Sequence, residues 1–396
     1  MAKLLLLLCS TGISLAIAEV GARLALPSRF YVWPPHTHRE LDVAGEYLPG
    51  VWGPSSFTIN GDGMRGDAFE RPYRYRILAV GGSTTIGALL DDTEAWPRVV
   101  QEIANRKLGR GTVFVGNVGR PGHSTPMHVV QVEVLLDQYD EFDAVVLLCG
   151  VNDMLVHLGI LRGSVAFAPA PDGGRRGALR AAFSVVPIEL DGPWYARSAL
   201  VAWIRTRLRR PEAGDWPVLD AAGSMIREQQ GYRSRARRFV DDLPELSGAL
   251  RSYAENLSRI IAAAEARGVR PILLTQPSMW RDGLSDDLER RLWLGGPNLD
   301  KARDGGDYLT ARALAAAMAA YNRQMLDVCA ARRVECIDLA AQLPRDGHVF
   351  VDDVHFTERG ARSLAEILAG HLLETRPLSQ WSPSVRDEAR RAPGSG

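Results

Sequence analysis

The stretch that decides the fold is Arg76-Ile77-Leu78-Ala79-Val80-Gly81-Gly82-Ser83-Thr84-Thr85-Ile86-Gly87. The apolar run Ile77 to Val80 reads as a buried strand. Two glycines end it, and a serine follows at once. A chain leaving a strand through Gly-Gly can turn sharply, because glycine accepts backbone angles that other residues avoid. The serine is then held at the carboxyl end of a strand, where open α/β sheets bind their ligands. Helical spacing resumes at Trp96, Val99, Val100 and Ile103, which puts Ser83 in a strand-to-helix loop. No Gly-Lys-Ser/Thr closes the loop, and its glycines are not spaced as in a dinucleotide site, so neither kind of phosphate loop is indicated. Alone, Gly-Gly-Ser-Thr is an ordinary loop. It carries chemistry only if the rest of the chain supplies partners.

Outward from this point, short apolar runs alternate with helical patterns. Val113 to Val118, Ala144 to Cys149, Val269 to Thr275 and Val334 to Asp338 read as four further strands. Helices are expected over Glu94 to Leu108, around Val129 to Leu136, Leu246 to Ile261 and Leu314 to Val328, and finally around Leu364 to Leu372. Such alternation predicts an α/β fold: a five-stranded parallel sheet between two helix layers. Right-handed crossovers then bring every loop that follows a strand to one edge.

The remaining segments frame this domain, expected over residues 76–374. The chain has 396 residues, is 46% hydrophobic and balances 47 basic against 47 acidic side chains. That balance argues against a nucleic-acid partner recruited by a global basic field. Lys3 precedes an apolar run from Leu4 to Ala18, and Ala16-Ile17-Ala18 is a small-residue cleavage site. Residues 1–26 are therefore read as a signal peptide or, if uncleaved, a membrane anchor continuing through Val20, Ala22, Leu24 and Leu26. Either places the rest of the chain outside the cytoplasm, in the periplasm or beyond. Residues 27–75 look like an irregular lead-in. Residues 154–243 read as an insertion, with 14 Arg, no Lys and 7 acidic residues between Ile160 and Val240. Within it, Leu200 to Arg210 is apolar on one side and basic on the other. That pattern suits a solvated helix packed on the domain, or one resting on an anionic membrane or glycan. Residues 375–396 read as a disordered tail. Cys149 falls in an apolar run and is expected in the core. Cys329 and Cys336 could pair across a helix-to-strand turn or stay as two buried thiols, since spacing alone does not fix a bridge.

Functional groups should appear just after the first three strands, and they do. Asn117-Val118-Gly119-Arg120-Pro121-Gly122-His123-Ser124 follows the second, and Gly150-Val151-Asn152-Asp153 the third. The N–H groups of Ser83 and Gly122 and the Asn152 amide could converge on a developing oxyanion. A base is needed as well. Asp352-Asp353-Val354-His355 precedes the last helix, and an Asp three residues before a His on a tight loop can orient its ring. His123 and His348 are rival bases. His123, beside the oxyanion turn, is better placed for substrate. No Cys, His and carboxylate cluster has metal spacing, and no cofactor is implied.

Together, Gly81-Gly82-Ser83-Thr84, Gly122, Gly150-Val151-Asn152-Asp153 and Asp352-Asp353-Val354-His355 resemble the four blocks of the SGNH (GDSL) hydrolase family, in order and rough spacing. The resemblance runs from about Tyr75 to Leu373. It implies a flavodoxin-like three-layer sandwich and a serine esterase. Ser83 would be the nucleophile, Gly122 and Asn152 oxyanion donors, His355 the base and Asp352 its orienter; apart from the resemblance, His123 and Asp153 are candidate substrate contacts. Gly82 stands where many members have Asp, and the arginine-rich insertion is a departure. The implied partner is an ester-bearing small molecule or glycan, with O-acetyl groups on a cell-envelope polysaccharide expected first and lipid esters next. An O-acetyltransferase would use the same residues. A glycan-binding protein without activity is the alternative of another kind.

Overall fold

A computed structural model describes residues 1–25, 29–41, 48–161, 174–187, 198–201, 204, 222–296 and 305–375. The tail expected beyond 375 and most of the amphipathic stretch 200–210 lie outside the described residues. In chain order the strands are β1 (His38–Leu41), β2 (Ser55–Thr58), β3 (Tyr75–Gly81), β4 (Val113–Asn117), β5 (Ala144–Leu148), β6 (Arg238–Val240), β7 (Arg270–Leu274), β8 (Asp307–Leu309) and β9 (Glu335–Ile337). The helices are α1 (Ala2–Ala25), α2 (Ser83–Ile86), α3 (Trp96–Leu108), α4 (Thr125–Gln138), α5 (Val151–His157), α6 (Gly174–Ala182), α7 (Ala222–Ser234), α8 (Ser247–Glu265), α9 (Asp286–Glu289), α10 (Ala311–Arg332), α11 (Leu339–Gln342) and α12 (Glu358–Thr375).

The central sheet has five parallel strands in the order β4-β3-β5-β7-β9. Every residue of β4 and β5 is buried, as expected where helices cover both faces. Helices α3 and α12 pack together on one face, and α8 packs between α4 and α10 on the other. Counting only the sheet's own strands, the order is 2-1-3-4-5, a doubly wound arrangement whose ligand crevice lies between the first and third strands. Here those are β3 and β5, and Gly81 pairs with Leu148 at their carboxyl ends. Ser83 and Asn152 leave the sheet at that crevice.

The expected core strands and helices are all present, within a few residues of their expected ends. The differences lie outside the core. The lead-in is not wholly irregular: β1 and β2 form an antiparallel pair within it. Its side chains Val32, Trp33, Val51, Phe57, Ile59 and Met64 are buried in the main core. Three-residue β6, at the end of the insertion, pairs in parallel with β8, a match too short to leave a period in the sequence. Cys329 and Cys336 are joined as a disulfide between α10 and β9, and Cys149 is a buried free thiol. Helix α1 leaves its large apolar side chains Leu4, Ile13, Ile17 and Leu24 exposed.

Candidate active site

Ser83 is the first residue of the single turn α2, directly after Gly82. The sequence forces this geometry. A methyl group on Gly81 would fall 2.1 Å from Thr85 Oγ1 and 2.4 Å from the Leu148 carbonyl. Only glycine lets the chain pass so close to β5 before turning. The turn is then held from outside. The Trp96 indole donates to the Thr84 carbonyl at 3.1 Å, and Asn117 Nδ2 donates to the Thr85 carbonyl at 2.9 Å.

Although 272 residues separate them in sequence, Ser83 Oγ and His355 Nε2 are 2.9 Å apart. On the other side of the ring, Nδ1 lies 2.7 Å from Asp352 Oδ2. A carboxylate can only accept, so Nδ1 carries the proton and the Nε2 lone pair faces the serine hydroxyl. Asp352 is fully buried. Its Oδ1 accepts from the N–H groups of Val354 and His355, each at 2.9 Å. Burial opposes its charge, but the imidazole and these N–H donors outweigh burial and hold its pKa below the ordinary value. Burial likewise opposes a charged His355, and Asp352 beside it raises the imidazole pKa above the ordinary value.

Asp353 does not serve His355. It accepts from Trp280 Nε1 at 2.6 Å and the Trp293 N–H at 2.8 Å. Burial and neighbouring Asp352 push its pKa up to about 6. Trp293 went unnoticed in the sequence. Its indole donates to Asp352 Oδ2 at 2.9 Å, and its ring lies parallel to the His355 imidazole, 6.5 Å between centroids. Trp293 sits in an irregular stretch after α9, where no period marks it.

The residues expected as oxyanion donors lie on the next two loops. Arg120-Pro121-Gly122-His123 is a tight turn closed by the His123 N–H on the Arg120 carbonyl at 3.2 Å. Gly122 has φ +72°, the position after Pro where such a turn needs glycine. The turn is backed by Trp33, whose indole donates to the Gly119 carbonyl at 2.9 Å. Asn152 Nδ2 donates one hydrogen to the His123 carbonyl at 2.8 Å, leaving its second amide hydrogen for another acceptor. A methyl on Gly82 would sit 2.5 Å from this same Nδ2. Glycine at 82 and the Asn152 amide therefore share one space.

The other candidates are placed differently. The His123 ring is buried, with Nδ1 3.3 Å from Gln131 Nε2, and burial first, then Arg120, holds its pKa well below the ordinary value. It is His123's carbonyl, not its ring, that touches the site. Asp153 turns towards the start of α4 and accepts from the Thr125 N–H at 3.0 Å. Burial raises its pKa to about 6. His348 is exposed.

Beside the Ser83–His355 pair lies a small cavity walled by Gly87, Ala88, Leu89, Leu90, Trp96 and Phe356. It leaves about 10 Å³ for the centre of a water-sized sphere, room for about one water. A hydroxyl, an imidazole, a buried carboxylate and amide donors at one rim can open an acyl bond by nucleophilic attack.

Comparison with known proteins identifies a family. The GDSL-like lipase/acylhydrolase family matches residues 79–362. Similar solved structures include a member of the lipolytic protein G-D-S-L family from Veillonella parvula DSM 2008, with 15% identity, 76% of this chain and 99% of that chain covered, and TM-score 0.37. The lipase/acylhydrolase from Enterococcus faecalis has 15% identity, coverage of 78% and 98%, and TM-score 0.36. The psychrotrophic esterase EstA from Pseudoalteromonas sp. has 10% identity, coverage of 76% and 97%, and TM-score 0.37. Among curated proteins none matches. With a family match spanning well over half its length, from the last residues of β3 into α12, the chain belongs to the GDSL-like lipase/acylhydrolase family and is a hydrolase of ester bonds.

Proposed function

We propose that the protein is a serine esterase that removes short acyl groups, acetyl foremost, through an acyl-enzyme. The observation that carries this reading is the hydrogen-bonded line Ser83–His355–Asp352. Ser83 Oγ attacks the ester carbonyl as its proton passes to His355 Nε2. Asp352 stabilises the imidazolium. The carbonyl oxygen, now negative, accepts from the Ser83 and Gly122 N–H groups and the Asn152 amide, worth about 2.7–4 kcal/mol per donor. Collapse breaks the bond to the alcohol oxygen, which takes the proton from Nε2. Water repeats the sequence on the acyl-serine, giving a free acid and restoring Ser83. The small cavity beside Ser83, with room for about one water, is the feature that favours a short acyl group in this reading.

The alcohol side is read as a carbohydrate of the cell envelope. Helix α1 supports an exported or anchored protein: its 23-residue stretch Ala2–Leu24, with mean hydropathy 2.0 over an 18-residue window, has the length and composition to cross a bilayer. Fractionation of expressing cells tests this placement, and recovery of the full-length chain only from cytosol would remove it. The test of function is turnover of aryl acetates and acetylated glycans by wild type and Ser83→Ala. The wild type should release acetate, and Ser83→Ala should lose essentially all turnover. Full activity in Ser83→Ala would end the proposal, and acetyl groups found on an added glycan would replace hydrolysis by transfer.

A further inference from the structure

Arg65 lies in the lead-in, before the residues that match the family. It is 3% exposed, and every hydrogen of its guanidinium is used. Nε donates to Asp92 Oδ1 at 2.8 Å. Nη1 donates to the carbonyls of Ile86 and Gly87, both at 2.8 Å. Nη2 donates to the carbonyls of Leu90 at 2.7 Å and Ser56 at 3.1 Å. The Phe57 ring lies 4.6 Å beneath the guanidinium. Its backbone is fixed as well, by paired bonds between Arg65 and Asn117 at 2.9 and 3.2 Å. Asn117 in turn holds the end of α2.

Three of the five acceptors belong to Ile86, which ends α2, and to Gly87 and Leu90 of the loop that follows it and walls the small cavity. Buried carbonyls need partners; within the loop the Leu90 N–H donates to the Gly87 carbonyl at 2.9 Å and Asn117 Nδ2 reaches the Ile86 carbonyl at 3.3 Å, and Arg65 adds a charged donor to each of the three. The same loop is sewn to β2 from the other side. Asp91 Oδ2 accepts from the Ser56 N–H at 3.0 Å and Asp92 Oδ1 from the Thr58 N–H at 3.1 Å. The geometry points to Arg65 as a specificity-determining positioning residue: its five-donor fork clamps residues 86–90 against the lead-in and so keeps the acyl cavity small. Arg65 touches neither Ser83 nor His355, so it acts through the loop. A lysine cannot replace it, because an ammonium has three donors and no planar fork.

This inference rests on the esterase reading and deepens it, since it names what limits the acyl chain. The test compares kcat/KM on 4-nitrophenyl acetate, butyrate and octanoate for wild type, Arg65→Lys and Asp92→Asn. Asp92→Asn weakens one of the five bonds and keeps the rest, so it remains informative if Arg65→Lys does not fold. Wild type should prefer acetate. The acetate-to-octanoate ratio should fall at least tenfold in Arg65→Lys and by a smaller factor in Asp92→Asn. The acid side of the pH profile should not move, because the Ser83–His355–Asp352 line is untouched. Equal losses on all three esters, or an unchanged ratio in a folded variant, would overturn the role of Arg65 and leave the esterase reading standing. A wild type that hydrolyses none of the three would remove the esterase reading itself, and with it this one.

Discussion

At the scale of single residues, the role proposed for His355 as base sets the pH dependence. It must be neutral to take the serine proton, and Asp352 raises its pKa above the ordinary value. As pH falls, kcat/KM should therefore drop at a pH above the 6.5 or so of free imidazole. Asp352→Asn should move that drop to lower pH, because the charge that raised the pKa is gone, and should cut kcat by about 10³–10⁴. A pH–rate profile of both proteins checks the sign, and an unmoved limb would contradict it. Gly82 makes a second residue-level case. Its φ is −90°, outside the left-handed region that favours glycine. The space is what is missing, since the added methyl would meet Asn152 Nδ2. Gly82→Ala should displace that amide and lower kcat by up to about 10²–10³, the scale for one lost oxyanion donor, with little change in melting temperature. In the sequence Gly82 reads as half of the Gly-Gly turn and as a departure from the family's Asp. The contact that requires glycine joins residues 70 positions apart and leaves no local mark.

At the scale of elements, the core strands and helices were legible because each is a run of one period. Five apolar runs ended where the strands end, to within a residue or two, since strands covered on both faces must be apolar throughout. Pairings between distant short segments were not legible. Nothing local says that Arg238–Val240 will meet Asp307–Leu309, or that His38–Leu41 will pair with Ser55–Thr58. Asp153 shows the same limit. It directly follows Asn152 and so reads as a site residue, yet its carboxylate binds Thr125 at the start of α4, where the helix end favours an anionic partner. Two outcomes distinguish a helix support from a substrate contact. Asp153→Asn should leave KM for aryl acetate within about twofold, against the tenfold or more that follows when a polar substrate contact worth about 1.5 kcal/mol is lost. The second outcome is thermodynamic. The Asp153 pKa is raised from 3.8 to about 6 in the fold, so the folded chain binds the proton more tightly than the unfolded one. Its share of stability is present at low pH and is lost as pH rises through about 4 to 6. Denaturant unfolding across that window should show a flatter slope in Asp153→Asn than in wild type.

At the scale of the whole molecule, the site is assembled from pieces that span most of the chain. The fold brings them together by one rule: loops that follow parallel strands share an edge. That rule made Ser83, Gly122 and Asn152 readable as a set, and the Asp-x-x-His block before the last helix completed it. The outer support could not be read in this way. Arg65 and Trp33 reach the site from the lead-in, and Trp293 from an irregular stretch. Their partners are backbone carbonyls and buried carboxylates, which carry no sequence pattern. The central claim is that Ser83 is the nucleophile and that His355, 272 residues away, activates it. Labelling with a fluorophosphonate and mapping the adduct by peptide mass spectrometry tests both parts together. The account predicts one adduct, on Ser83 in wild type, with labelling slowed at least a hundredfold in folded His355→Ala. An adduct on another serine, or none on a folded wild type, would contradict it.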